Sequence, residues 1–202
     1  MLCRSRKLAQ MAAYFLSRAN GGPMEHVKLM KLMYMADREA ISRFGFSISE
    51  DEYWSMKLGP VLSQTLDLMS GYIDGKAQDE WDEWISAKEG HCVSLHEEKK
   101  KTDLDEFAGT EIAVMNDVFN EFGNRSRWDL INYTHDNYKE WADPGDGRLP
   151  ITLWDILEAL GKPEGEIAAI VRKRERENRL RFAPLPSPPP FVEETAPDVV
   201  HA

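Results

Sequence analysis

Asp37 and His135 are the residues of this sequence whose types could form a general acid–base couple. Asp37 falls between two apolar arcs of a predicted helix, and His135 lies on or beside the apolar side of another. A carboxylate in that position is expected to be buried and to need several hydrogen-bond donors. No nucleophile is evident beside either residue. We therefore interpret both as buried polar groups that position loops, and a hydrolase using this pair is the less favoured alternative. We predict no catalytic residues.

A metal site would need clustered histidine, cysteine and carboxylate ligands. The nearest approach is His91 and Cys92 with His96. These residues fall on a predicted hairpin, where positions 91 and 96 point to opposite faces. The sequence also has no Walker-type glycine loop, dinucleotide fingerprint or nucleophile elbow. We predict no metal and no cofactor.

The composition is that of a globular protein, with 202 residues, 42% hydrophobic residues and a net charge of -10. This charge argues against nucleic-acid binding by the whole molecule, and it suits an encounter with a basic protein. Cys3 and Cys92 form neither a metal pair nor a disulfide framework, which indicates a reducing compartment. No signal peptide or membrane span is evident, so we expect a cytoplasmic protein.

The spacing of apolar residues predicts a mainly α fold, a single helical domain with a small antiparallel sheet or hairpin. A strand is predicted over residues 52–58, and a hairpin pairs 84–88 with 92–96. Gly59-Pro60 is expected to open a helix, since proline suits the first helical position. The other helices are predicted over residues 4–18, 24–44 and 111–122, after Ser126 and Thr152, and from Pro163 onward.

Three basic residues fall together on one side of the predicted helix 24–44, namely Lys28, Lys31 and Arg38. Two apolar arcs occupy the rest of this helix, so we expect it to be central and packed on both flanks. The basic side is then expected to be exposed. We predict that it is the face that binds a partner protein.

The C-terminal region contains two segments that differ in composition from the main domain. Residues 164–183 form a predicted helix that is acidic at its start and basic from Arg172 to Arg181, and 184–202 form a predicted disordered, proline-rich tail. The main domain is predicted over 1–163. The basic end could contact nucleic acid or an acidic protein, but a solvated helix end is the favoured interpretation.

Three segments, in this order, resemble one family. Lys28–Arg38 (KLMKLMYMADR) is similar to a lysine- and leucine-rich helix running into Tyr-x-Ala-Asp, and Leu58–Val61 (LGPV) is similar to its Gly-Pro-Val turn. The segment Ser126–His135 (SRWDLINYTH), followed by Trp141, is similar to its Thr-His and Trp segment. The family is the Panacea domain, also called the SocA-like antitoxin domain, of bacterial and phage toxin–antitoxin pairs. The resemblance covers residues 1–161, and Phe107-Ala108-Gly109 departs from the Leu-Ser helix entry expected there.

The resemblance implies a protein that binds toxins of varied kinds and suppresses them without catalysis. It implies structural roles for a set of motif residues, namely Tyr34, Asp37, Gly59, Pro60, His135 and Trp141. In this interpretation Asp37 ties the central helix to a loop, for which the Gly59-Pro60 turn is the candidate, and His135 and Trp141 position the loop that follows them.

The function expected from this resemblance is an antitoxin that neutralises a cognate toxin by direct binding. In at least one branch of the family the member is an adaptor that delivers the toxin to a AAA+ protease. That adaptor role is the second hypothesis, and the hydrolase is the third. No membrane partner is expected.

Overall fold

The computed structural model describes residues 4–19, 22–99 and 104–181. Its α-helices within these ranges are α1 (Ser5–Arg18), α2 (His26–Phe44), α3 (Ser63–Met69), α4 (Lys76–Asp82), α5 (Gly109–Phe122), α6 (Arg127–Asn137), α7 (Leu153–Ala159) and α8 (Glu164–Arg181). The described strands are β1 (Met24–Glu25), β2 (Tyr53–Met56), β3 (Gly59–Leu62), β4 (Cys92–Val93) and β5 (Leu149–Ile151). The predicted mainly α class with small antiparallel sheets is confirmed.

Helix α2 is the centre of the molecule. It packs against α1, α3, α5, α6, α7 and the strands β1 and β3. Apolar residues recur on two neighbouring arcs of the helix, so it is buried on both flanks, as predicted. The fully buried apolar side chains of α2 include Leu29, Leu32, Met33, Tyr34 and Ala36. Gly45 ends the helix in the left-handed conformation (φ 74°), which glycine adopts without a Cβ penalty.

The three-stranded sheet has the order β3-β2-β5, with both pairs antiparallel. Along β2, Tyr53 and Ser55 are buried, while Trp54 and Met56 are half-buried, so alternate residues face opposite sides of the sheet. The predicted helix start at Gly59-Pro60 is wrong, because these residues form edge strand β3 and α3 begins at Ser63. Proline is compatible with an edge strand, where it need not donate on the outer side. Strand β5 and helix α4 carried no recognised sequence signal.

The predicted hairpin around Gly90 forms as isolated antiparallel pairs. Ile85 pairs with Leu95, and Glu89 pairs with Cys92. The continuous ladder of Cys92–Val93 is made instead with β1.

Both predicted capping boxes are present. Ser126 Oγ accepts from the Asp129 amide, while the Asp129 carboxylate accepts from the Ser126 amide. Thr152 and Asp155 make the same pair of hydrogen bonds at the start of α7.

Helix α8 packs against the body of the molecule through its first half. Ile167 is buried, and Ile170 and Val171 pack against the core. The basic second half is mostly exposed. Within the described ranges, no helix is long and apolar enough to cross a membrane. The predicted tail 184–202 lies outside the described residues.

Candidate functional site

Three polar side chains of α2 make the contacts that we together call the polar centre, although they leave the helix on different sides. Lys31, Asp37 and Arg38 each reach from α2 to a different part of the chain. We name these contacts the lysine tie, the aspartate tie and the arginine tie.

The lysine tie joins α2 to strand β3. Lys31 is 1% exposed, and its Nζ donates to the Pro60 carbonyl oxygen at 2.6 Å. Burial lowers the pKa of Lys31 to about 7, since a charged ammonium loses its hydration there. The prediction that Lys31 lies on an exposed partner face is therefore wrong. The cause is strand β3, which covers the side of the helix that periodicity alone left open to solvent.

His135 and Trp141 complete the surroundings of the lysine tie. Their rings stack with centroids 3.8 Å apart and planes 7° apart. The Trp141 indole Nε1 donates to the Met56 carbonyl oxygen at 3.0 Å, so the pair anchors the segment after α6 to the sheet. The Nε2 atom of His135 is buried and has no hydrogen-bond partner among the described residues. Burial, and then the charge of Lys31, lowers the His135 pKa.

Gly59 makes the close approach at the lysine tie possible. Its φ is +99°, and a Cβ there would lie 2.8 Å from Thr134 Oγ1 and 2.9 Å from Lys31 Nζ. Only glycine combines this conformation with this space.

Gly59→Ala is expected to lower the free energy of unfolding by about 3 kcal/mol, from left-handed strain and displacement of the lysine tie. The matched control is Gly71→Ala, at φ +68° with no atom within 4 Å of the added Cβ. The control should lose only about 1 kcal/mol, since strain alone applies. Chemical denaturation of both variants measures the difference, and equal losses would contradict the packing argument.

The aspartate tie joins α2 to the loop that follows it. The Oδ1 atom of Asp37 accepts from the backbone amides of Ile48 and Ser49, both at 2.8 Å. Its Oδ2 accepts from the hydroxyls of Ser49 and Tyr53. The predicted loop tie is thus present, but its target is Ile48-Ser49 and not the Gly59-Pro60 turn, which Lys31 holds instead. Burial raises the pKa of Asp37 to about 6, and the hydrogen bonds from Ser49 and Tyr53 oppose this rise.

The arginine tie joins α2 to the segment between α6 and β5. Arg38 Nε donates to Glu140 Oε1 at 2.6 Å, and the Glu140 side chain is 0% exposed. The Tyr34 hydroxyl donates to the same oxygen at 3.1 Å, and the Arg38 guanidinium lies 4.1 Å from the Tyr138 ring centroid. The Arg38 side chain is 14% exposed, so little of it is available for a contact other than the ion pair with Glu140. Glu140 was missed by sequence reasoning, because no periodic pattern marks its segment.

Asp37 and His135 do not form the acid–base couple considered from the sequence. Within the part of the chain that the structure describes, the hydrogen bonds of Asp37 go to Ile48, Ser49 and Tyr53, while the His135 ring lies against Trp141. Lys31 is an amine with a pKa near neutrality, as in amine catalysts, but it is closed to solvent. Among the described residues, no group of three or more His, Cys, Asp or Glu side chains could hold a metal ion. The centre is arranged to position chain segments.

Comparison with protein families gives one finding. The family model described as antitoxin SocA-like, Panacea domain, matches residues 29–142. No curated protein and no solved structure gives a match. The matched range is more than half of the 202 residues and contains all three ties, from Lys31 to Trp141. The chain therefore belongs to the SocA-like antitoxin family with a Panacea domain.

Proposed function

We propose that this chain is a cytoplasmic antitoxin that neutralises a cognate protein toxin by binding it directly, without catalysis. The observation that carries the proposal is that the range matched by the family model contains the three ties, whose side chains hold parts of the chain together. Lys31, Asp37 and Arg38 each make hydrogen bonds that join α2 to other segments of the chain. Side chains held in this way specify the fold. A partner protein would then be recognised by other side chains, on the surface.

The proposed toxin-binding face changes with the burial of Lys31. Of the three basic residues predicted for it, Lys31 is buried and Arg38 is bound to Glu140. Lys28 is half-buried, and we keep it in the proposal as a residue at the edge of the toxin-binding face. The net charge of -10 favours a toxin with a basic surface, because complementary fields accelerate association.

Co-expression with the product of a neighbouring gene tests the proposed function. We expect the candidate toxin to arrest growth, this chain to relieve the arrest, and the two proteins to purify as a stable complex. Relief accompanied by loss of the toxin and no complex would favour a proteolytic adaptor that works with a AAA+ protease. A product that is toxic but is neither bound nor neutralised would contradict the proposal for that pair.

Lys28→Glu tests the proposed face within the same assay. We expect the variant to lose about tenfold in toxin affinity, which corresponds to about 1.4 kcal/mol, because the glutamate would repel the acidic or polar toxin group that Lys28 contacts. The added negative charge favours long-range attraction to a basic toxin, but this effect is the same in the control and cancels in the comparison. Lys57→Glu is the matched control, since this exposed lysine lies in the β2–β3 turn and its charge is changed identically. Titration of each purified variant with the toxin measures the affinity, and equal affinities would exclude Lys28 from the interface.

A further inference from the structure

A groove of about 670 Å³ lies between the segment after α2, the three-stranded sheet and α8. Phe46, Trp54 and Pro150 give it an aromatic and apolar lining, and α8 contributes Arg174 and Asn178. This volume is typical of sites that enclose small ligands or short peptide segments. The groove shares Tyr53 with the aspartate tie, and the proposed function does not assign a role to the groove.

The groove is preformed by an unusual backbone position. Glu50 has φ 56°, and it is the non-glycine residue with positive φ in the described ranges. Its carboxylate meets Arg4 at 2.9 Å and Arg174 at 3.3 Å, so it fastens the start of α1 and the middle of α8 to the same wall. A strained residue kept in place by its surroundings is characteristic of binding and switch sites.

The sequence that follows α8 has the chemistry that suits this lining. Residues 182–192, which lie outside the described ranges, read FAPLPSPPPFV and contain five prolines. Proline-rich segments bind aromatic-lined grooves, because the polyproline II conformation is preformed and loses little entropy. Asn178 lines the groove four positions before Phe182, so the chain leaves α8 beside it.

Three acidic residues, Glu50, Asp51 and Glu52, line the groove itself, and charge supports the same occupant at the Trp54 edge. The proline-rich stretch is followed by Glu193 and Glu194, and the whole segment 182–202 contains no lysine or arginine. Arg148 is exposed, and its guanidinium lies 4.5 Å from the centroid of the Trp54 ring in the groove wall. An acidic stretch entering or leaving past Trp54 would therefore meet a positive charge.

We propose that residues 182–192 bind this groove in cis, with prolines packed on Phe46 and Trp54. A short tether gives an effective concentration in the millimolar range, so even a weak contact is populated within one molecule. A segment of this length in a polyproline II conformation would span about 30 Å.

The test attaches a nitroxide to the full chain at Ser187→Cys, with Cys3 and Cys92 changed to serine, and records the NMR signal of the Trp54 indole. We expect the nitroxide to broaden this signal. Phe46→Ser should abolish the broadening. Phe44→Ser is the matched control and should preserve it, because Phe44 is 46% exposed and stacks on Phe46 without lining the groove.

Mixing spin-labelled chain with isotope-labelled chain that carries no nitroxide separates the alternatives. Broadening lost in the mixture supports binding in cis. Broadening that persists in the mixture would show that the tail binds a second copy, which overturns the proposal. A sharp Trp54 indole signal in the full chain that carries both the nitroxide and the isotope label would overturn it as well.

Discussion

Replacing Asp37 by alanine is expected to lower the free energy of unfolding by about 4 kcal/mol, whereas asparagine should cost about 1 kcal/mol. Alanine leaves the buried amides of Ile48 and Ser49 without the acceptor that both now share. Each orphaned donor costs about 1–3 kcal/mol, and the hydroxyls of Ser49 and Tyr53 also lose their acceptor. Asparagine retains Oδ1, and its amide nitrogen can donate to the hydroxyl oxygens.

Chemical denaturation at neutral pH measures both losses. Total stabilities are commonly 5–15 kcal/mol, so the alanine variant should be partly unfolded or nearly so at 37 °C. Equal losses for alanine and asparagine would show that the negative charge, and not the acceptor geometry, stabilises the loop. Full toxin neutralisation by the asparagine variant is expected, because it keeps the fold and because Asp37 has no catalytic role in the proposed function.

The pH dependence of the same pair tests the burial of Asp37. The pKa is raised from 3.8 in the unfolded chain to about 6 in the folded chain, so the folded state binds more protons between these values. The contribution of Asp37 to the free energy of unfolding therefore falls as the pH rises from about 4 to about 6. It rises again when the pH is lowered. Relative to Asp37→Asn, the native protein should lose about 1.4 kcal/mol per pH unit over this window. Parallel stability curves would contradict the shifted pKa.

The sequence predicted α1, α2, α6 and α7 because their signals are local, but it missed α4 and the start of α3. Apolar spacing located α1 and α2, and Ser126 and Thr152 located the starts of α6 and α7 through capping boxes. Gly59-Pro60 misled the prediction, since proline suits both a helix start and an edge strand, and only the pairing with β2 decides between them.

The polar centre was only partly predictable for a related reason. That Asp37 is buried follows from its position between two apolar arcs of α2, but its partners come from a loop 11 or 12 residues away. Helical periodicity places Lys31 on a polar side and cannot show that β3 covers it. No periodic spacing of apolar residues marks the segment that contains Glu140. Long-range pairing decides each of these positions, and one-dimensional spacing does not contain it.

Lys31→Met is expected to remove a large alkaline pH dependence of stability from this protein. The folded pKa of Lys31 is lowered from 10.5 to about 7, so the folded state binds fewer protons than the unfolded state between these values. The free energy of unfolding of the native protein, minus that of the methionine variant, should therefore rise with pH. The rise is about 1.4 kcal/mol per pH unit, or about 4 kcal/mol between pH 7 and pH 10. Below pH 7 both states are protonated and the difference should be constant.

Denaturation of the two proteins at pH 6, 7, 8, 9 and 10 measures this difference, with other titrating groups cancelling between them. Lys57→Met is the control, because Lys57 is an exposed lysine and should leave the slope unchanged. Parallel curves for Lys31→Met would show that Lys31 reaches water, against its 1% exposure. The variant also separates the functional hypotheses. A scaffold lysine can be replaced by a methionine of similar length while toxin neutralisation survives, whereas a reactive amine cannot be replaced without losing the activity.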